Sequence, residues 1–266
     1  MENILFDSKR IAEGYARRPW LHKQVVERLA LDCGVKDKFQ NGLDVGCGGG
    51  LSAKALKLIC NKVTGCDASE AMIEMCRELY DEAGYTFYVS KAEETKAPTE
   101  KYDIVTAAGV INWIDKDKFL CNMHEVMAPG GLLVIYDFGI SDRMLGSSAY
   151  TSWYRDCYLL KFPKPPRKET VWKEEELGKA FTMQSQVSYQ LQYEFDMSSF
   201  IEFMMIQSNV NVQVESGKIK AEEVKEWMQL TLQPIFKGKK QTLIFEGYSW
   251  YIRHLEVNKK ETEEQK

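Results

Sequence analysis

The 266-residue sequence has no long apolar run, no clustered cysteines and no large excess of charge of one sign. A membrane-spanning helix needs about 20 consecutive apolar residues, and the first ten residues, MENILFDSKR, lack the apolar core of a signal peptide. A net charge of −4 gives no general electrostatic reason to bind nucleic acid or an anionic membrane. We therefore expect a soluble, cytoplasmic protein with no nucleic-acid or membrane partner.

The seven cysteines are scattered, and no two of them form a C-x-x-C pair. An odd number without paired spacing is typical of reduced thiols, and not of a disulfide framework or a zinc site. Cys121 and His124 fall on one face of a predicted helix, but two ligands do not complete a metal site. We expect structural or surface roles for all three histidines (His22, His124 and His254) and no bound metal.

The sequence is organised around residues 42–50, GLDVGCGGG, in which Asp44 is followed by four glycines within five positions. A strand that ends in such a loop brings backbone N–H groups close to a ligand, because glycine has no Cβ and tolerates left-handed φ values. Leucines and alanines follow from Leu51 onward, so a helix is predicted directly after the loop. Strand, loop and helix together are typical of the first unit of a Rossmann-like nucleotide site.

The spacing of the glycines argues against a dinucleotide. Gly46 and Gly48 match the first two glycines of the G-x-G-x-x-G fingerprint, but its third position falls on Leu51. Asp44 would repel a pyrophosphate, whereas it suits a ligand that carries an ammonium group and no phosphate. S-adenosylmethionine is such a ligand, since it combines an adenosine, a sulfonium and a zwitterionic amino acid. A glycine loop alone is weak evidence, and an ordinary turn is the alternative.

A second carboxylate follows the glycines at the distance expected for a ribose ligand. Residues 62–67 form a short predicted strand ending in Asp67, about 20 residues beyond the loop, where Rossmann-like sites hold both ribose hydroxyls. The alternative is that Asp67 caps the next helix, although Ser69 fits that role better. Met72 belongs to a stripe of that helix that faces the core, and it is also a candidate for contact with adenine.

Strands and helices then alternate as in a doubly wound α/β sheet. Residues 85–89 and 102–108 are predicted to be the third and fourth strands, and the unbroken apolar run at 132–136 the fifth. The helix before the fifth strand is predicted to end at the stop signal Pro129–Gly131.

The amino-terminal helical pattern over residues 9–32 contains Pro19, which predicts a kink or a restart of the helix. One interpretation of the bend is a surface helical hairpin. The other makes the bend a lid over the glycine loop, with Tyr15 and Arg18 reaching the carboxylate of the methionine moiety.

Beyond Gly139 the alternation of strands and helices ends, and aromatic residues and prolines dominate residues 145–183. Residues 256–266 are highly charged and are predicted to be a disordered tail. The remaining predicted elements are a strand at 185–195, helices near 197–207 and 221–235, and a final strand at 241–252.

Residues from about 10 to 140 resemble the class I S-adenosylmethionine-dependent methyltransferases. Within that superfamily the sequence is most similar to the small-molecule branch of trans-aconitate methyltransferase-like proteins, through Tyr15…Arg18-Pro19 and the segment YDIVTAAGVINWID at 102–115. The features that carry the wider resemblance are, in order, Asp44–Gly50, Asp67, Ala92-Glu93 and the Ala-Pro-Gly-Gly turn at 128–131.

The resemblance implies one methyltransferase domain over residues 1–255, with a Rossmann-like seven-stranded sheet whose last strand is antiparallel. It also implies a helical cap over the methyl group, formed by segments at about 139–183 and 194–239. Cap aromatics suit a dry sulfonium site, but simple packing of the extra helices explains them equally well. Together with the motifs above, the contacts expected for S-adenosylmethionine are Tyr15, Arg18, Asp44, Gly46, Cys47, Gly48, Asp67, Ala68, Met72, Ala92, Glu93 and Ala108.

The predicted reaction is methyl transfer by in-line displacement to an oxygen, nitrogen or sulfur atom of a small molecule. A general base is needed only if the acceptor must first lose a proton. The candidates for this base are Asn112, Trp113, Tyr136, Asp137 and Tyr154, near the end of the fourth strand and in the cap, and none stands out. Asn112, Trp113 and Tyr154 are kept as weak candidates for a catalytic role. A basic stretch favours an anionic acceptor such as a carboxylate, unless it is only a solvated loop; its members are Lys161, Lys164, Arg167 and Lys168.

Two other functions stay open at this stage. The first is a non-catalytic protein that binds S-adenosylmethionine or acts as a scaffold. It stays open because the sequence identifies no residue that must be catalytic. The second is an RNA or protein methyltransferase, but the acidic balance disfavours nucleic acid, and Gly109–Trp113 stands where base-amino methylases often carry Asn/Asp-Pro-Pro-aromatic. A NAD-dependent reductase is more distant still. Monomer and homodimer are both compatible with the sequence.

Overall fold

The computed structural model describes residues 9–97, 99–164 and 170–255 of the protein. The tail predicted at 256–266 lies outside the described residues, as do Arg167 and Lys168 of the basic stretch.

Seven strands form one mixed sheet. They are β1 (Phe39–Val45), β2 (Cys60–Asp67), β3 (Tyr85–Val89), β4 (Tyr102–Ala108), β5 (Met127–Met144), β6 (Phe181–Phe195) and β7 (Gln241–His254). Their order in the sheet is β3-β2-β1-β4-β5-β7-β6, and β1 to β5 pair in parallel. β7 is antiparallel to β5, because Leu145 N donates to Thr242 O while Arg253 Nη1 donates to Gly130 O. The predicted Rossmann-like sheet with an antiparallel last strand is confirmed.

The pattern over residues 9–32 forms two helices separated around Pro19, as the missing N–H of proline requires. No helix within the described ranges is both long and apolar enough to cross a membrane. Short turns of 3₁₀-helix occupy Ala92–Glu94 and Glu174–Glu176, and a π-helical turn occupies Trp153–Tyr158. The α-helices are α1 (Lys9–Ala16), α2 (His22–Asp32), α3 (Leu51–Leu56), α4 (Glu70–Leu79), α5 (Lys116–Val126), α6 (Ser148–Ser152), α7 (Leu159–Lys161), α8 (Met197–Met205), α9 (Ser208–Glu215) and α10 (Ala221–Phe236).

By its internal packing the chain divides into two compact units, and β5, β6 and β7 contribute residues to both. The described part of the first, which we call the α/β unit, comprises residues 22–97, 99–137, 170–188 and 248–255. The described part of the other, which we call the second unit, comprises residues 9–21, 138–164 and 189–247.

The core of the α/β unit lies between the parallel strands and α5. Successive residues of a strand point to opposite faces of the sheet, and one face of β1, β4 and β5 buries only apolar side chains against α5. The other face carries Asp44, Thr106 and Tyr136 on the same three strands. The apolar face therefore stabilises the sheet, while the opposite face presents polar groups close to its carboxyl edge. The strand residues of the apolar face are Leu43, Val45, Val105, Ala107, Leu133 and Ile135.

Part of the segment predicted as a cap packs in this core. Residues 170–183 cluster with the α/β unit, and Trp172 is fully buried there with its ring 6.0 Å from that of Phe119. The indole of Trp172 therefore acts as a core side chain, in keeping with the packing explanation for aromatics of this region. The division into one domain with cap segments at 139–183 and 194–239 remains a prediction.

The second unit is held together by a cluster of aromatic rings. Trp153 lies at its centre, stacked at 5.5 Å from Tyr158 and at 6.0 Å from Trp227. Its indole nitrogen donates to Thr231 Oγ1 at 2.9 Å, so the one polar atom of the ring is satisfied. These aromatics contact one another, and burial of each large ring stabilises the unit.

Candidate functional site

The glycine loop connects β1 to α3 in the α/β unit, at the carboxyl edge of the sheet. Gly46 and Gly50 both have left-handed backbones, with φ of 63° and 86°. A Cβ on Gly46 would lie 2.3 Å from Val110 Cγ1, and one on Gly50 would lie 2.4 Å from Tyr80 Cε2. Glycine is therefore required at both positions by backbone conformation and by packing.

The backbone of the loop is held in place by its neighbours. Cys47 N donates to Cys66 O at 3.0 Å, which fixes the loop to β2. Gly48 is engaged on both sides, because its N–H donates to Asp67 Oδ2 at 2.9 Å and its carbonyl accepts from Cys76 Sγ at 3.1 Å. The loop is thus formed by contacts within the protein itself.

Asp67 stands at the tip of β2, as its spacing predicts. Its two carboxylate oxygens accept from Gly48 N and from Ser69 N, both at 2.9 Å. Ser69 is the N-cap of α4, since its hydroxyl accepts from Met72 N at 3.3 Å, so Asp67 does not cap that helix. Asp67 is half-buried and Ala68 is exposed, whereas Met72 is buried beneath the first turn. This leaves the Asp67 carboxylate beside the loop and partly open to solvent.

Asp44 is fully buried, although the sequence predicts that it contacts an ammonium group of the ligand. It is 0% exposed, and its two oxygens accept from Ser52 Oγ at 2.5 Å and from Thr106 Oγ1 at 2.7 Å. Desolvation raises the pKa of Asp44 to about 7, although both hydroxyl hydrogen bonds lower it. The carboxyl group therefore lies inside the protein, bonded to two hydroxyl groups and out of contact with solvent.

The segment predicted to line adenine is a single 3₁₀ turn. Ala92 is nearly buried, and Glu93 is half-buried with Oε1 accepting from Asp115 N at 2.7 Å. Asp115 is itself the N-cap of α5, because Oδ1 accepts from Lys118 N. Glu93 thereby ties this turn to the start of α5.

β4 pairs with β1 on one side and with β5 on the other, and it ends beside the middle of β5. Ala108 is half-buried and pairs with Tyr136, and Gly109 N donates to Tyr136 O at 2.8 Å. Asn112 and Trp113 follow in an exposed turn, and the Trp113 side chain is 57% exposed. The structure thus gives neither of these two weak candidates the burial that favours proton transfer.

A pair that the sequence did not indicate lies at the same edge. His22 Nδ1 is 2.9 Å from Tyr136 Oη, although the two residues are 114 positions apart. The sequence offered only a histidine near the start of a helix and a tyrosine at the end of a strand, so no local pattern connects them.

Tyr15, Arg18 and Tyr154 belong to the second unit. The guanidinium carbon of Arg18 lies 3.7 Å from the centroid of the Tyr15 ring, and Nη2 makes one long hydrogen bond of 3.4 Å to Ile206 O. Within the described residues, Arg18 Nε is buried without a hydrogen-bond partner. Tyr154 is buried, with its hydroxyl donating to Ile140 O at 3.4 Å. Arg18 therefore keeps a buried donor of the kind that a carboxylate satisfies.

The described lysines of the basic stretch lie over aromatic rings of the second unit. Lys161 Nζ is 5.3 Å from the centroid of the Trp227 ring, and Lys164 Nζ is 5.8 Å from that of Tyr154. Both distances are within reach of cation–π attraction.

Comparison with known families supports the assignment that the loop suggests. Residues 43–135 match a family model described as a methyltransferase domain. Two curated relatives are the ubiquinone/menaquinone biosynthesis C-methyltransferases UbiE of Psychromonas ingrahamii and Escherichia coli. The first is 33% identical over 123 residues (43% of this chain, 49% of the relative), and the second is 33% identical over 120 residues (42% and 48%). The chain thus spans about half the length of the curated relatives it matches.

Solved structures share the fold over most of the chain. A protein described as a type II methyltransferase from Anaeromyxobacter dehalogenans superposes with a TM-score of 0.65 at 18% identity, covering 87% of this chain and 95% of that one. One described as a sarcosine dimethylglycine methyltransferase from Galdieria sulphuraria superposes with a TM-score of 0.51 at 15% identity, covering 88% and 85%. The sheet order and the domain match together support a class I S-adenosylmethionine-dependent methyltransferase, and the chain has the fold of that class.

Proposed function

We propose that this protein transfers a methyl group from S-adenosylmethionine to a small-molecule acceptor by in-line displacement. The observation that carries the proposal is the contact between the glycine loop and Asp67, in which Gly48 N donates to Asp67 Oδ2 at 2.9 Å. It joins a loop that brings backbone close to a ligand with a carboxylate suited to a ribose diol.

The residues of the α/β unit fit an adenosyl ligand without phosphate. Two carboxyl groups, Asp44 and Asp67, flank the loop and disfavour a pyrophosphate there. Asp67 would accept from the ribose hydroxyls, and the field of Asp44 would favour an ammonium group. The contacts proposed for the remaining parts of the nucleoside and for the loop are Gly46, Cys47, Gly48, Ala68, Met72, Ala92, Glu93 and Ala108.

Arg18 and Tyr15 belong to the second unit, where Arg18 has a buried donor that suits a carboxylate. Arg18 stacks on Tyr15 and carries a buried Nε without a described partner. A planar guanidinium of this kind forms paired hydrogen bonds with a carboxylate. We assign Arg18 and Tyr15 to the carboxylate of the methionine moiety, and this assignment can be tested separately from that of Asp67.

When bound, S-adenosylmethionine supplies a methyl group that is already activated by the positive sulfur. The protein then has to orient the nucleophile and exclude water, and orientation of this kind lowers a barrier by about 7–11 kcal/mol. The residues proposed for this work are Asn112, Trp113 and Tyr154.

The acceptor is proposed to be a small molecule. The curated relatives are named as C-methyltransferases of ubiquinone/menaquinone biosynthesis. Carbon is therefore a further candidate for the atom that receives the methyl group, beside oxygen, nitrogen and sulfur. The basic stretch favours an anionic acceptor such as a carboxylate. Substituting Lys161, Lys164, Arg167 and Lys168 by glutamine tests that refinement, because equal activity on every acceptor would remove the case for an anionic one. A cytoplasmic location and a monomer or homodimer complete the proposal.

The direct test supplies the protein and methyl-labelled S-adenosylmethionine to a cell extract that is then separated into small-molecule, RNA and protein fractions. We expect label among the small molecules, and we expect Asp67→Ala to abolish it. Label in RNA or protein would refute the proposed acceptor class while keeping the cofactor. Tight binding of S-adenosylmethionine without any transfer would favour the non-catalytic binding protein instead.

A further inference from the structure

His22 and Tyr136 form a hydrogen-bonded pair in the α/β unit, and we propose that this pair takes up the proton that the methyl acceptor loses. His22 Nδ1 lies 2.9 Å from Tyr136 Oη, and the two rings meet edge to face with centroids 5.7 Å apart. His22 is assigned as the proton acceptor and Tyr136 as the residue that positions it. The inference rests on the proposed function and deepens it.

The pair lies near the carboxyl ends of β1 and β4. In open α/β sheets ligands bind outside the carboxyl ends of the strands, at the point where the strand order reverses. Here the order reverses between β1 and β4. The glycine loop and Asp67 follow β1 and β2, so the cofactor is assigned to that side and the acceptor to the end of β4 and the part of β5 beside it.

Tyr136 is fixed within β5, beside the end of β4. It pairs with Ala108, the last residue of β4, and its carbonyl accepts from Gly109 N at 2.8 Å. Its side chain is 1% exposed and shares a sheet face with Asp44, by the alternation of strand residues. A buried phenol held within the sheet is a rigid support for a neighbouring ring.

His22 is the first residue of α2 and is half-buried. The amino-terminal end of a helix carries a partial positive charge, which is unfavourable for a second positive charge nearby. A general base must begin in its neutral form. With a proton on Nδ1 donated to Tyr136 Oη, the lone pair of the imidazole resides on Nε2, and Nε2 is the atom assigned to accept a proton.

The proposed step is balanced within this arrangement. The nucleophilic atom of the acceptor forms a bond to the methyl carbon, while the bond between that carbon and sulfur breaks and its electron pair stays on sulfur. The proton of the nucleophile moves to His22 Nε2, and Nδ1–H continues to donate to Tyr136. The imidazolium, disfavoured by the helix end, then releases the proton to water.

The test compares His22→Gln, Tyr136→Phe and a matched control, His124→Asn, which removes an exposed histidine from α5. Nitrogen-15 spectra of the imidazole rings report the tautomer of His22 in the free chain and with S-adenosylhomocysteine bound. We expect the Nδ1–H tautomer in the wild type and a shift towards Nε2–H in Tyr136→Phe. An Nε2–H tautomer of His22 in the wild type would overturn the assignment.

The second readout is the rate of label transfer from S-adenosylmethionine to the small-molecule fraction. We expect His22→Gln to lower it by about 10²–10⁴-fold while S-adenosylhomocysteine binds within about twofold of the wild type, and His124→Asn to leave both unchanged. Equal rates in His22→Gln and His124→Asn would refute the proposal. If the wild type transfers no label, the proposed function fails, and the tautomer alone decides whether the pair is built as described.

Discussion

The burial of Asp44 leads to a prediction about how the affinity for S-adenosylmethionine changes with pH. Its pKa is raised to about 7, mainly by desolvation. If only the ionised carboxyl favours the ammonium group, about half of the sites are competent at pH 7 and about one in ten at pH 6. Affinity in the wild type should therefore fall by about fivefold from pH 7 to pH 6, and by about tenfold, or about 1.4 kcal/mol, for each further pH unit.

The matched variant is Asp44→Asn, which keeps the shape of the side chain and allows hydrogen bonds to Ser52 and Thr106. Its affinity should be weaker at pH 8 and nearly independent of pH between 5.5 and 7. Titration calorimetry with S-adenosylmethionine measures both proteins over the same range, and any titration of the ligand's own amino group is common to the two. A wild-type affinity that does not change below pH 7, or an equal slope in Asp44→Asn, would refute the reasoning.

The same group affects the stability of the ligand-free protein in the opposite direction. The pKa in the folded state lies above the unfolded value of 3.8, so the folded state binds more protons between those values and loses stability as pH rises. A difference of about three pH units corresponds to roughly 4 kcal/mol. About two of these units fall between pH 5 and pH 8, so denaturant unfolding at these two values should show a decrease of roughly 3 kcal/mol in the wild type. The decrease should be smaller in Asp44→Asn, and no difference between the two proteins would contradict the assigned pKa.

Three further substitutions test the loop, the ribose contact and the core. Gly46→Ala should lose about 2–4 kcal/mol from left-handed strain and overlap and bind S-adenosylmethionine more than tenfold more weakly. Gly130→Ala, also left-handed but with open space around the Cβ, should lose only about 1–2 kcal/mol in thermal or denaturant unfolding. Asp67→Ala should weaken binding at least tenfold by calorimetry, and unchanged affinity would mean that the ribose assignment is wrong. Trp172→Ala should destabilise by about 3–5 kcal/mol, against about 0.5 kcal/mol for the exposed control Trp113→Ala, and equal effects would contradict the core position of Trp172.

The strands of the parallel sheet were largely predictable, because each is a short apolar run bounded by turn residues. β3 and β4 have the predicted bounds, 85–89 and 102–108. β5 does not, since the predicted strand was 132–136 and the observed one is Met127–Met144. From the sequence, the glycines after Pro129 are interpreted as a stop signal for the preceding helix. In the structure these glycines lie within β5, and a register shift between Tyr102 and Ile104 of β4 accommodates them.

The candidate site was predictable only where its residues are close in sequence or follow a fixed spacing. Asp67 was found from its distance to the glycines, and the structure brings it to Gly48. The burial of Asp44 was not predictable, because it depends on a hydroxyl of β4 that is 62 residues away. The contact between His22 and Tyr136 depends on where α2 begins relative to the middle of β5, which no local pattern encodes.

The double engagement of Gly48 means that the shape of the glycine loop is set during folding and not by its ligand. Its N–H and its carbonyl are both bonded within the protein, so its amide should resist hydrogen exchange even without S-adenosylmethionine. If the loop binds S-adenosylmethionine as proposed, binding requires little ordering of its backbone. A loop that is formed by contacts within the protein keeps its shape when residues elsewhere in the α/β unit change.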